Sequence, residues 1–168
     1  DFRHWSDGVA HRYAPGVPFE HFYTNATVPC PGAEHLLLSF PKRFLPDRKK
    51  VSGHDDVGVS DAVFMSSRDG VHFRRWGEAF IRPGPLSNNW VYGDNSPAWG
   101  LVETPSHIAT APNELSIYAV ENYWRGSAMS LRRFVLRVDG FVSVQAPLGG
   151  GEFVTKPLIY EGGSLEIN

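Results

Sequence analysis

Apolar and polar positions in this chain fall into short runs, rich in Tyr, Phe, Thr and Val and closed by Gly, Pro or Asp-Gly. Runs of that length and content, punctuated in that way, predict strands and tight turns. The first candidates are Phe22–Val28, broken by Pro29-Cys30-Pro31-Gly32, and His35–Phe40. A long loop is expected from Pro41 to Ser60, then a hairpin of Ala62–Ser67 and Val71–Trp76 about Asp69-Gly70. The order then repeats: Ser96–Glu103, Glu114–Val120, and a closing hairpin of Met129–Val138 with Phe141–Gln145 about Asp139-Gly140. Residues 6–20 and 146–152 read as Gly/Pro connections, and Phe153–Tyr160 and Leu165–Asn168 as further strands.

The turn signature itself recurs. Asp1-Phe2-Arg3-His4-Trp5 returns as Asp69-Gly70-Val71-His72-Phe73, and Asp-Gly again at Asp139-Gly140, a spacing of about seventy residues. Phe64 and Phe134 hold the same place before their turns, and Asn25 and Asn95 share a phase. Gly tolerates positive φ and Asp bonds its own backbone, so each recurrence marks a hairpin. Strands recurring four to a period predict an all-β repeat of four-stranded antiparallel blades, as in a β-propeller. A β-sandwich is the competing architecture. Two blades do not close a ring, and the chain opens inside a turn signature, so it reads as a fragment: the end of one blade, then blades at about 19–83 and 90–147. The segment 152–168 reads as the start of a second β domain or as closing strands.

Composition narrows the partners. With 42% hydrophobic and 20% charged residues the 168-residue chain can bury a core, and its net charge of −2 is spread without blocks of one sign. Neither nucleic acid nor an anionic membrane is expected as a partner, whereas a small neutral substrate suits such a surface. Aromatics reach 13%, enough for large β-cores or for surfaces that stack on sugar rings. Cys30 stands alone, so no intrachain disulfide is expected. His54-Asp55-Asp56 has no partner histidines at ligand spacing, so no metal or other cofactor is expected. Phosphate loops, dinucleotide fingerprints, Gly-x-Ser-x-Gly elbows and His-Glu-x-x-His helices are absent.

In a propeller the start of each first strand and the connection between the second and third share a face at the channel mouth. That rule gathers Asn25, Asp94, Asn95, Lys42, Arg43, His54, Asp55, Asp56, Asp61, Glu121, Asn122, Tyr123 and Arg125 on one face, with Glu34, His35, Glu103 and His107 opposite in structural roles. Amides, arginines, carboxylates and rings at one mouth are what carbohydrate recognition requires. Glycoside cleavage needs two carboxyl groups about the bond, one as a raised-pKa acid, and Asp61 and Glu121 are the candidates. Asn25, Arg43, Asn95 and Tyr123 are candidate sugar contacts, although the shared phase of the two asparagines also suits left-handed turn residues. Arg48-Lys49-Lys50 reads as a solvated loop, and Asn25-Ala26-Thr27 fits a glycosylation sequon.

The hairpins Asp1–Trp5 and Ser66–Phe73 resemble the Ser-x-Asp-x-x-x-Trp hairpins of the five-bladed propeller glycosidases, the superfamily of glycoside hydrolase families 32 and 43. Tyr23–Ala26, Phe40–Phe44, Ser60–Gly70 and Trp99–Thr104 look like a group of uncharacterised bacterial proteins carrying that propeller. The resemblance implies a partial five-bladed β-propeller, a C-terminal β-sandwich beginning near Gly151–Leu158, and a periplasmic or secreted setting. It also implies hydrolysis of a carbohydrate by paired carboxylates. The superfamily's Asn-Asp-Pro and Arg-Asp-Pro nucleophile motifs and its Glu-Cys acid motif are not present in these residues, so either the nucleophile lies in upstream blades or the alternative holds, a noncatalytic carbohydrate- or protein-binding propeller module.

Overall fold

The structure, a computed structural model, describes residues 2–48 and 57–164. The expected strand Leu165–Asn168, the His54-Asp55-Asp56 cluster, Lys49, Lys50 and the first Asp of the opening turn lie outside the described residues.

Nine strands form two antiparallel sheets, and no α-helix occurs among the described residues. In the first sheet β1 (His21–Tyr23) pairs with β4 (Lys42–Leu45), and β2 (Val28–Cys30) pairs with β3 (Ala33–Ser39). Both β3 and β4 pair with the same side of β5 (Val59–Ser67), in one register from Leu37 opposite Ser67 to Leu45 opposite Val59. They are one long strand interrupted at Phe40-Pro41, because Pro41 has no N–H to give; its carbonyl still accepts the Val63 N–H at 3.1 Å. On the other side of β5 runs β6 (Phe73–Ile81). The sheet is therefore a four-layer antiparallel meander, the expected blade pattern, with its first two strands broken in the middle.

Four details depart from the expected strands. Phe22–Val28 splits because Thr24 and Ala26, both at φ 44°, turn the chain out of line, so that the Asn25 carbonyl accepts from Phe40 N–H and Ser39 Oγ. Pro29 sits within β2 and does not break it, since β2 is an edge strand whose outward side needs no donor. The long loop contains β4, which charged residues disguised. Residues 6–20 are more than a connection: Arg12 bridges to His72, and His11 packs on Phe73 at 4.4 Å between ring centroids.

The second sheet comprises β7 (Val102–Thr104), β8 (Glu114–Glu121) and β9 (Ser130–Arg137) in that order. Its first strand is shorter than expected, though Asn95, Ser96 and Ala98 continue backbone bonds along β8. Phe141–Gln145 does not return along β9. After the Asp139-Gly140 turn, Phe141 stacks on Phe64 at 5.3 Å, and the burial of that ring between the sheets directs the chain away from the β9 edge. Phe153–Tyr160 also forms no strand and is exposed along its length. The whole is all-β, a curled antiparallel sheet with a second sheet, consistent with part of a propeller.

The Asp69-Gly70 turn closes as its residues dictate. Asp69 Oδ1 accepts from Val71 and His72 N–H at 2.9 and 2.7 Å, Gly70 takes φ 74°, and His72 Nδ1 lies 2.8 Å from Asp69 Oδ2. These bonds, led by the His72 N–H, hold the Asp69 carboxyl far below its ordinary range.

Side chains alternate across β5 and so serve two cores. Ala62 and Phe64 join Phe40, Leu38, Ile117 and Ala119 between the sheets, with Trp76, Phe80, Phe134 and Phe141 packed around them. Val63 and Met65 join Phe73, Tyr13 and Phe22 on the other side. Phe64→Ala is expected to lower the unfolding free energy by about 3–5 kcal/mol, measured by chemical denaturation. Phe19→Ala, at a fully exposed ring, is expected to change it by no more than about 0.5 kcal/mol.

Candidate functional site

Cross-strand neighbours share a face, so Arg43, opposite both Phe22 and Asp61, lies on the Val63 side of β5. Asp61 is wholly buried there, and Arg43 grips it through two parallel bonds of 2.9 Å. A third bond comes from Arg48 Nη1 at 2.9 Å. The remaining Arg43 donors reach Glu20 Oε1 at 3.0 Å and the Gly77 carbonyl at 2.9 Å, and Glu20 also pairs with Arg75. Arg48 lies over the Trp90 ring, so it is an anchored side chain and not part of a solvated loop.

Glu121 follows Ile117 and Ala119 on the face of β8 that packs against Ala62, and its Oε1 accepts from Asn89 Nδ2 at 3.0 Å and Arg132 Nη1 at 2.9 Å. Each carboxylate is thus bound to arginine, Asp61 by Arg43 and Arg48 and Glu121 by Arg132.

Asn95 is buried at φ 61°, and its amide donates to the Ser60 and Asn89 carbonyls at 3.0 and 3.1 Å. Asn25 is exposed and outside the left-handed region, its Oδ1 accepting from Thr27 N–H at 3.2 Å, so the shared phase of the pair is not a shared conformation. Tyr123 stays partly exposed and packs so closely on Gly93 that a Cβ there would lie 2.2 Å from the ring.

What gathers around Tyr123 is a cluster of rings. Tyr92 meets Phe44 at 5.1 Å, Tyr23 at 5.9 Å and Trp124 at 5.7 Å, and Tyr123 meets Trp124 at 4.9 Å. Trp124 is 69% exposed, and with Tyr123, Arg125, Val91 and Gly93 it lines a pocket of about 240 Å³. Behind the rings Lys42 is buried, its ammonium 4.2 Å from the Tyr92 centroid and 5.4 Å from that of Tyr23. Asp94, also buried, accepts from the Asn122 and Tyr123 N–H groups at 3.0 and 2.7 Å. Burial pushes the Asp94 carboxyl up against those bonds, and burial pushes the Lys42 amine down against the pull of Asp94. The Tyr92 phenol is raised, first by its bond to Tyr23.

Lys42, Asp94, Asn122 and Tyr123 thus come together about the rings, while Arg43 and Asp61 turn to the opposite side of their strands from Lys42 and Ala62. Tyr92 and Trp124 were not among the expected contacts. Their signal was two aromatic pairs, Trp90-Val91-Tyr92 and Tyr123-Trp124, flanked by Gly and Asn. Among the described residues no group of three or more His, Cys, Asp or Glu is disposed to hold a metal ion, and no helix is long and apolar enough to cross a membrane. No protein-family model matches the chain, and neither curated proteins nor solved structures yield a match. The fold assignment rests on the hydrogen-bonded topology itself.

The depressed Lys42 pKa has a consequence for stability. Below the ordinary value of 10.5 the unfolded chain holds more protons than the folded one, so unfolding free energy rises with pH through the window just beneath 10.5. Lys42→Met keeps the bulk between the rings and is expected to flatten that rise, measured by denaturant titrations across alkaline pH. An unchanged slope would contradict the burial of the ammonium.

Proposed function

We infer that this chain is part of a propeller of the five-bladed glycosidase type, and that its ring-lined face binds a carbohydrate without cleaving it. The observation that carries the reading is the complete burial of Asp61 in bonds from two arginines. Hydrolysis needs two carboxyl groups free to flank one bond, but Asp61 is wholly buried with both oxygens held by Arg43 and Arg48, and Glu121 Oε1 is held by Asn89 and Arg132. Neither is poised to deliver a proton to a glycosidic oxygen.

Sugar binding draws support from the surface beside Glu121. Tyr123 and Trp124 offer apolar platforms for the axial-hydrogen face of a pyranose, while Arg125 and the partly exposed Glu121 supply polar groups beside them. The resemblance in the Ser66–Phe73 hairpin and in Phe40–Phe44 points to the same ligand class.

A glycan array probed with the intact chain tests this reading. A subset of neutral glycans should be retained, and Trp124→Ala should weaken them about tenfold or more, a change of roughly 1.4 kcal/mol. Arrays that stay blank, or binding indifferent to Trp124→Ala and Tyr123→Ala, would remove the proposal. Turnover of aryl glycosides that is lost in both Asp61→Asn and Glu121→Gln would replace it with the hydrolase reading.

A further inference from the structure

The first sheet is four strands wide and the second only three, and the missing position is the outer one, beside β9. The segment expected there, Phe141–Gln145, lies instead against Trp76 and Phe80 of β6, with which it lines a pocket of about 450 Å³. The outer edge of β9 thus keeps its backbone donors and acceptors unpaired by any described strand, and Leu131 and Val135 are exposed along it. Open edges of this kind recruit strands.

The same chain carries a strand without a sheet. Phe153-Val154-Thr155-Lys156-Pro157-Leu158-Ile159-Tyr160 is exposed throughout, with Ile159 and Val154 almost wholly so, and bonds to no neighbour in a ladder. It is eight residues long, as β9 is, and is preceded by Glu152, while β9 ends in the exposed Arg137; Arg132 and Arg133 are already held by Glu121 and Glu114. Its one proline is compatible with a single kind of strand. Proline lacks an N–H, so within sheets it belongs at an outer edge, as Pro29 shows in β2.

We propose that residues 153–160 of one copy of this chain add as an antiparallel fourth strand to the β9 edge of a second copy, reciprocally, forming a two-fold dimer. An edge and a strand left open in the same chain are both satisfied when two copies exchange them. The orientation of the added strand follows from Pro157. In an antiparallel ladder the N–H and C=O of one residue point to the same neighbour, and adjacent residues point to opposite sides. Pro157 must face outward, so Thr155 and Ile159 face outward with it. Val154, Lys156, Leu158 and Tyr160 then make the bonds to β9.

That parity gives a test with an internal control. Sedimentation of the intact chain over a dilution series should show a monomer–dimer equilibrium. Leu158→Pro removes an inward donor and should weaken the dimer about tenfold or more, whereas Ile159→Pro, one residue away and outward, should leave it within about threefold. Both residues are exposed and unpaired in the monomer, so the thermal unfolding of the monomer serves to confirm that neither proline disturbs the fold. A chain that stays monomeric at every concentration overturns the proposal, and so do two prolines with equal effects.

Discussion

The interaction on which the rest depends is the bidentate pair between Arg43 and Asp61. A carboxylate with no solvent exposure is tolerable only when its charge is matched and its lone pairs are filled, and here two arginines supply three bonds of 2.9 Å. Because Arg43 and Asp61 are direct cross-strand neighbours, the pair holds β4 to β5 at the point where Pro41 has interrupted the ladder. The same guanidinium reaches Glu20 and the Gly77 carbonyl, tying in the segment before β1 and the outer strand β6. One buried charge pair therefore links four successive parts of the first sheet. Removing either partner alone would strand a buried charge, a loss of about 3–5 kcal/mol in comparable cases.

That commitment divides the sheet by face. On the side of Asp61 lie its ion pairs and the Val63–Met65–Phe73 cluster. On the other side the chain packs Phe40, Ala62 and Phe64 against Ile117 and Ala119, and toward the strand ends leaves a group of rings about Tyr92 backed by Lys42 and Asp94. There the exposed Tyr123 and Trp124 stand beside Arg125 and the buried Lys42–Asp94 pair. The division leaves the carboxylate with the most elaborate surroundings, Asp61, as the one with no exposure to solvent.

What could be read from the sequence was local. The Asp69-Gly70 hairpin carries its own mechanism in residues two or three apart, and β3, β5, β6 and β8 follow from runs rich in branched and aromatic side chains. Lys42–Leu45 could not be read as a strand, since Lys and Arg mark a solvated loop unless a partner eighteen residues away is known to bury them. Pro29 appeared to end a strand because its place at an edge depends on the order of the sheet. Asn25 and Asn95 shared a repeat phase but not a backbone, as the positive φ fell on Thr24 and Ala26 beside the first and on the second itself. Asp61 and Glu121 were expected as an acid/base pair from their places at a strand start and in a loop, and their arginine partners lie too far along the chain to be read from sequence. Which face of β5 Asp61 occupies depends on strand parity, which one residue of register would have reversed.

A double-mutant cycle between Arg43 and Asp61, with Arg43→Met, Asp61→Leu and the combination followed by chemical denaturation, tests the central claim most directly. The account predicts a coupling of about 2–3 kcal/mol, the two single variants each losing more than the double variant's cost would apportion to them. A coupling near zero, with each single loss no larger than that of a surface substitution, would contradict it and return Asp61 to the candidates for chemistry.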